Sequence, residues 1–162
     1  SNDFVINQPV DGFINFLGIQ SPGLASSPAI ARECEQMISK LIPLEINKNY
    51  NSYRRKVIRM NKLSIDERNE IIKKDPRYGR IICRCEKISL GEVIDCIERN
   101  CGATTIKGVK KRCRPGFGKC QGGFCEPLVL EILSKELGKN PLEIRYANKD
   151  SYILKEETKV IK

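Results

Sequence analysis

Four cysteines carry the chemistry this sequence can do: Cys83, Cys85, Cys120 and Cys125. They form two pairs, Cys83-Arg84-Cys85 and Cys120-Gln121-Gly122-Gly123-Phe124-Cys125, with 34 residues between the pairs. Thiolates are soft ligands, and four of them suffice for a metal centre. In an extended segment, residues i and i+2 share a face, so Cys83 and Cys85 are expected to aim together at one iron. Arg84 would then point away, with its backbone N–H between the two sulfurs. An apolar-periodic helix is expected to begin near Gly122, which puts Cys120 in the preceding loop and Cys125 in the first turns. Free N–H groups and the positive end of a helix dipole favour thiolate at such a place. Gly122 and Gly123 carry no side chain, so backbone can approach the centre closely.

The chain has no histidine. This excludes a Rieske centre and any His-containing zinc or copper site. Structural zinc sites usually use C-x2-4-C pairs, and the C-x-C pair falls outside that range. A [2Fe–2S] cluster needs four thiolates, two per iron, and carries a formal charge of about −2 when oxidised. Residues 80–125 hold ten Lys/Arg against four Asp/Glu, a local balance of +6. That basic shell offsets the cluster charge and favours reduction.

The motifs around these cysteines are specific. Cys83-Arg84-Cys85-Glu86, Gly102-Ala103-Thr104-Thr105 and Gly118-Lys119-Cys120-Gln121-Gly122 stand in order along the chain. With them, residues 80–138 resemble the bacterioferritin-associated ferredoxin-like [2Fe–2S] domain. The resemblance implies Cys83, Cys85, Cys120 and Cys125 as the cluster ligands. Cys113 stands where that family leads one to expect Thr, and it is left outside the ligand set.

The elements that position these residues can be read in part. Asp3–Asn7 and Phe13–Ile19 are strand-like runs separated by Pro9-Val10-Asp11-Gly12. Ser27 with Pro28 predicts a helix start, and Ile30, Cys34, Met37, Ile38 and Leu41 give segment 28–42 one apolar face. Cys34 and Met37 are read there as plain core. Residues 43–79 read as a linker with one helix, opened by the capping box Ser64-Ile65-Asp66-Glu67 and running to about Lys74. Ser89 with Glu92 is a second capping box, before Leu90, Val93, Ile94 and Ile97 on one helical face. Cys96 and Cys101 read as small packing residues. Thr104 or Thr105 caps a short helix to Arg112. A last helix reaches Leu137, with Gly138 as its stop, and Asn140-Pro141 can open one more turn. Residues 139–162 read as a polar tail that packs on a partner domain or frays.

Gly18 to Ile30 form a second recognisable stretch, a strand, a Gly-containing loop and a helix start. Helix N-termini of this kind face negative charge at phosphate and flavin sites. Residues 3–42 resemble the closing segment of FAD-dependent amine and hydroxy-acid oxidoreductases, closest to the glycerol-3-phosphate dehydrogenase and L-2-hydroxyglutarate oxidase type. The resemblance implies that Ser21, Gly23 and Leu24 line the flavin. Anaerobic-type glycerol-3-phosphate dehydrogenases join these two modules in this order. The expected fold is therefore α+β and mostly helical: a small helical [2Fe–2S] domain after a strand–loop–helix remnant of an FAD-binding domain.

No strand–GxGxxG–helix and no GxxxxGK[ST] loop occurs, so FAD is expected in the full-length enzyme only, with the catalytic residues upstream. The eight cysteines are too unevenly spaced, in a chain with 30% charged residues, for a secreted disulfide scaffold. The net charge of +9 suggests nucleic acid, but only 6% of residues are aromatic and no nucleic-acid-binding signature appears. No run of about 18 apolar residues and no signal peptide is found, so neither a membrane span nor secretion is expected. The expected partners are the upstream FAD domain and an electron-acceptor subunit or carrier. The expected place is the cytoplasm, with any membrane association running through a partner subunit. Two other classes use the same thiolates: a zinc-binding structural module with four cysteine ligands and a thiolate chaperone for Cu(I).

Overall fold

The computed structural model describes residues 3–159, and the chain divides into two units between Arg54 and Arg55. Among the described residues the architecture is α+β, with five helices and two small antiparallel ribbons. No helix among them is long and apolar enough to cross a membrane.

The first unit begins with a hairpin of β1 (Val5–Val10) and β2 (Phe13–Leu17), registered Val5 to Leu17 and Asn7 to Asn15. β1 is displaced toward the C-terminus from the expected Asp3–Asn7, whereas β2 starts at Phe13 as expected and ends two residues before Ile19. Pro9 lies inside β1, and the register shifts between Asn7 and Val10, because a residue without an N–H cannot complete the ladder. The turn narrows to Asp11-Gly12, where Gly12 takes the left-handed φ of +77°. Helix α1 runs Gly23–Ser39, so Ser27 is not its cap and Pro28 lies inside it. Pro28 cannot donate to the carbonyl of Leu24, four residues back. The Ser27 hydroxyl donates to that carbonyl instead, at 2.9 Å, and the helix passes through the proline. Leu41 and Ile42 fall beyond the helix end and are exposed.

The second unit is built from α2 (Ile65–Lys74), β3 (Ile81–Cys83), β4 (Ile88–Ser89), α3 (Leu90–Glu98), α4 (Ile106–Cys113) and α5 (Glu126–Leu137). Local signals start most of its helices. Ser64–Glu67 and Ser89–Glu92 are complete capping boxes, and Thr105 accepts from the N–H of Gly108. Gly138 ends α5 in the left-handed conformation at φ +60°. Asn140 caps a single 3-10 turn, Pro141–Glu143.

Helices α3, α4 and α5 enclose one core, in which Val93, Val109, Val129, Leu133, Ile88 and Ile106 are essentially inaccessible. Burying side chains of this kind contributes about 1.5–3 kcal/mol each before chain entropy is counted. Two stretches read as linker and tail join this unit. Arg99 donates to the carbonyls of Arg55 and Lys56, Arg55 pairs with Asp95 at 2.8 Å, and Met60 is buried. Ile144 enters the core, and the N–H groups of Ile106 and Lys107 donate to the carbonyls of Arg145 and Tyr146. The last residues of the expected tail, 160–162, lie outside the described residues.

Candidate metal centre

Cys83 closes β3 and is buried, whereas Cys85 lies in the following turn and is exposed. The segment is therefore not extended through Cys85, and the shared-face argument does not apply. A left-handed Lys87, at φ 54°, turns the chain back into β4. The second pair is also reached by turns. Gln121 and Gly122 have φ of 49° and 96°, and a right-handed helix cannot extend back through them. Helix α5 thus starts at Glu126, later than expected, with Pro127 in its first turn and Cys125 as its N-cap residue.

All four cysteines line one cavity of about 470 Å³, with Phe124 and Ile82 among its other walls and no acidic side chain. The close approaches run between the segments: the Sγ atoms of Cys85 and Cys120 are 3.6 Å apart, and Cys83 is near enough to Cys125 to raise its pKa. Among the described residues no three ligand side chains gather around a single metal-ion position. Two thiol pairs facing one cavity suit a two-iron cluster, which takes two thiolates per iron.

The backbone shapes this cavity. A methyl group built on Gly118 would overlap the Cβ of Cys85 and stand 3.2 Å from its Sγ, so the loop after α4 can lie against Cys85 only with glycine there. The two cysteine-bearing loops are also tied by side chains. Arg114 Nε donates to Glu86 at 3.2 Å, and Asn61 Nδ2 donates to the carbonyl of Glu86 at 3.4 Å. Lys110 and Arg114 both stack over Phe117, at 5.2 and 4.8 Å from its ring centre.

The thiols differ in acidity. The N–H of Gly122, the Cys85 thiol and the N–H of Phe124 hold Cys120 below the ordinary thiol value. Burial, then the charge and hydrogen bond of Cys83, push Cys125 up to about 12. In the absence of a cation, Cys125 is therefore a thiol at neutral pH, and a bound metal must displace its proton. All-sulfur donors, backbone N–H groups at Cys120 and glycine at the contact with Cys85 fit an iron–sulfur cluster.

Residues 81–135 match the model of the BFD-like [2Fe-2S] binding domain. Over these residues, which include α3 to α5, the chain is similar to that domain. The chain is also 49% identical over 161 residues to a glycerol 3-phosphate dehydrogenase of Caloramator mitchellensis, an alignment covering 98% of the chain and 34% of that protein. It is 34% identical over 64 residues to hydrogen cyanide synthase subunit HcnB of Pseudomonas aeruginosa, covering 40% of the chain and 13% of HcnB. The chain spans about a third of the length of the dehydrogenase that it matches. No solved structure matches it.

The remaining cysteines lie elsewhere. Cys34 is on α1, and Cys101 is exposed with φ 55°, not packed as expected. Cys96 is buried, and its sulfur meets the Val93 carbonyl at 3.1 Å and the sulfur of Cys113 at 3.6 Å. Their separation of 17 residues on two helices gave no local signal for this meeting. In the first unit, Ser21, Gly23 and Leu24 line one open concavity at the start of α1. There Gly23 is buried and Leu24 is almost fully exposed.

Proposed function

We propose that Cys83, Cys85, Cys120 and Cys125 hold a [2Fe–2S] cluster in the electron-transfer region of a flavin-dependent dehydrogenase. The observation that carries this reading is the convergence of these four thiols on one cavity within the stretch similar to the BFD-like domain. When bound, the cluster accepts and releases one electron at a time. The chain's own residues fix its surroundings. Backbone N–H groups of Gly122 and Phe124 offset negative charge at Cys120. Ile82 and Phe124 wall the cavity, and Phe124, 84% exposed, is the face a redox partner meets first.

The whole protein's proposed activity is FAD-dependent oxidation of glycerol 3-phosphate, the activity named for the Caloramator mitchellensis relative. Electrons are proposed to arrive from an upstream FAD domain and to leave to an acceptor subunit or carrier. Ser21, Gly23 and Leu24 are proposed to line the flavin when that domain is present. A cytoplasmic site of action, peripheral to any membrane, fits the free thiols.

Anaerobic purification with iron, sulfide and visible absorption tests the proposal. Two irons and two sulfides per chain are expected from a [2Fe–2S] centre. Replacing any one of the four cysteines by Ser should abolish or strongly alter the visible spectrum. A colourless protein holding stoichiometric zinc or Cu(I) would establish one of the rival thiolate readings instead. An unaltered spectrum in Cys120→Ser would refute the ligand set.

A further inference from the structure

Two thiols that take no part in the cavity meet inside the core. Cys96 on α3 and Cys113 at the end of α4 are 5% and 2% exposed, with their sulfurs 3.6 Å apart. Their surroundings are not purely apolar. Cys96 also hydrogen-bonds to the carbonyl of Val93 at 3.1 Å. Arg59 lies close enough to act electrostatically on both sulfurs. Its Nη2 donates to the carbonyl of Arg112 at 2.9 Å. Its Nη1 is buried with no hydrogen-bond partner among the described residues. The pairing with Cys113, then the charges of Arg112 and Arg59, lower the pKa of the Cys96 thiol against the opposing effects of burial and Asp95. The same pairing, together with burial, keeps Cys113 a thiol. Two buried sulfurs in near contact, the more acidic one placed to attack and the other to resolve, are the arrangement of a redox-sensitive pair.

We propose that Cys96 and Cys113 form a reversible thiol–disulfide site oxidised by a hydroperoxide, distinct from the four cysteines of the cavity. The Cys96 sulfur attacks the peroxide, forming an S–O bond and breaking the O–O bond. The departing oxygen leaves as hydroxide or alkoxide and takes a proton, giving water or an alcohol. The Cys113 sulfur then attacks the Cys96 sulfenic acid, forming the S–S bond and breaking the S–O bond. Hydroxide leaves with the Cys113 proton as water. Two electrons pass from the two thiols to the peroxide, and a dithiol reductant reverses the change. The sulfurs need to close by only about 1.5 Å to reach bonding distance. The bond would fasten α3 to the residue from which the Arg114–Lys119 loop departs. Gly118 of that loop abuts Cys85, so oxidation acts on the wall of the cavity.

The test treats the cluster-loaded chain with one equivalent of hydrogen peroxide, then maps cysteines by differential alkylation and peptide mass. The expected product is a peptide pair linked through Cys96 and Cys113, lighter by two hydrogens and reversed by dithiothreitol. It should appear before the visible absorption falls, with Cys34 and Cys101 still open to alkylation. In Cys113→Thr the link should be absent, and a dimedone probe should trap sulfenic acid at Cys96. Cys96→Ala serves as a second variant and should likewise lose the link. Recovery of both residues as free thiols would overturn the proposal. So would linkage found only after the absorption has gone, since that would reflect breakdown of the cluster.

Discussion

Gly118→Ala tests how closely the loop after α4 must approach the cluster site. A Cβ at this position would sit inside van der Waals contact with the Cβ of Cys85 by more than ~1 Å, and 3.2 Å from its sulfur. Neither neighbour can yield cheaply. Cys85 lies in the turn between β3 and β4, and the loop is held by Arg114 to Glu86. Overpacking of this kind costs about 1–3 kcal/mol. A displaced supporting contact typically lowers metal affinity about 10–100-fold. Neither Gly118 nor Cys85 belongs to the buried core of α3, α4 and α5, so the helices should persist. The assay is iron and sulfide per chain after anaerobic reconstitution, with visible absorption and a far-ultraviolet melt. Cluster loading is expected to fall severely, while helical content is kept. Gly123→Ala is the internal contrast, because its Cβ would meet only the carbonyl of Cys120, at 3.4 Å. Full loading of Gly118→Ala, equal to that of Gly123→Ala, would refute the argument that the site needs this close approach.

Removing the metal with a chelator and reductant should leave a folded second unit, seen as retained far-ultraviolet helicity and a cooperative melt at lower temperature; a coil-like spectrum would show that the metal holds the fold. Leu133→Ala, at a fully buried position, should cost about 2–5 kcal/mol and lower Tm by roughly 10 °C or more by calorimetry. Asp75→Asn removes a charge while keeping the cap on Arg77. Hydrogen bonding from the Arg77 side chain lowers the Asp75 carboxyl below its ordinary 3.8. Its stabilisation is therefore present above about pH 4 and lost as pH falls through the lower folded value. The stability difference between wild type and Asp75→Asn, followed by thermal melts, should be under ~1 kcal/mol at neutral pH and vanish in acid.

Signals confined to a few residues were legible in the sequence. The capping boxes at Ser64 and Ser89, the Thr105 cap and the Gly138 stop each complete a contact within four residues, and each stands in the structure. The Ser27-Pro28 signal failed because its residues satisfy two arrangements equally well. As a cap, Ser27 would accept a hydrogen bond; within α1 it donates to Leu24 in place of the N–H that Pro28 lacks. Local spacing does not choose between these. The membership of residues 55–62 and 144–152 in the second unit was hidden for a different reason. It rests on Arg99 reaching Arg55 and Lys56, and on Ile106 and Lys107 reaching Arg145 and Tyr146. Such long-range contacts leave no periodicity in the polar segments they capture.

The cysteine site divides along the same line. The family resemblance named the four thiols that line the cavity. It did not identify which thiols are neighbours, since Cys85 faces Cys120 and Cys83 faces Cys125 across 35 and 42 positions of sequence. Left-handed residues decide that outcome: Lys87 folds the first segment back, and Gln121 with Gly122 turns the second before α5 can start. Each close pair therefore takes one sulfur from each segment. The packing of the two segments side by side is what brings the Cys85 and Cys120 sulfurs together. The Arg114–Glu86 bond and the Gly118–Cys85 contact join the two segments. For that reason they should govern cluster loading more strongly than their small contributions to global stability would suggest.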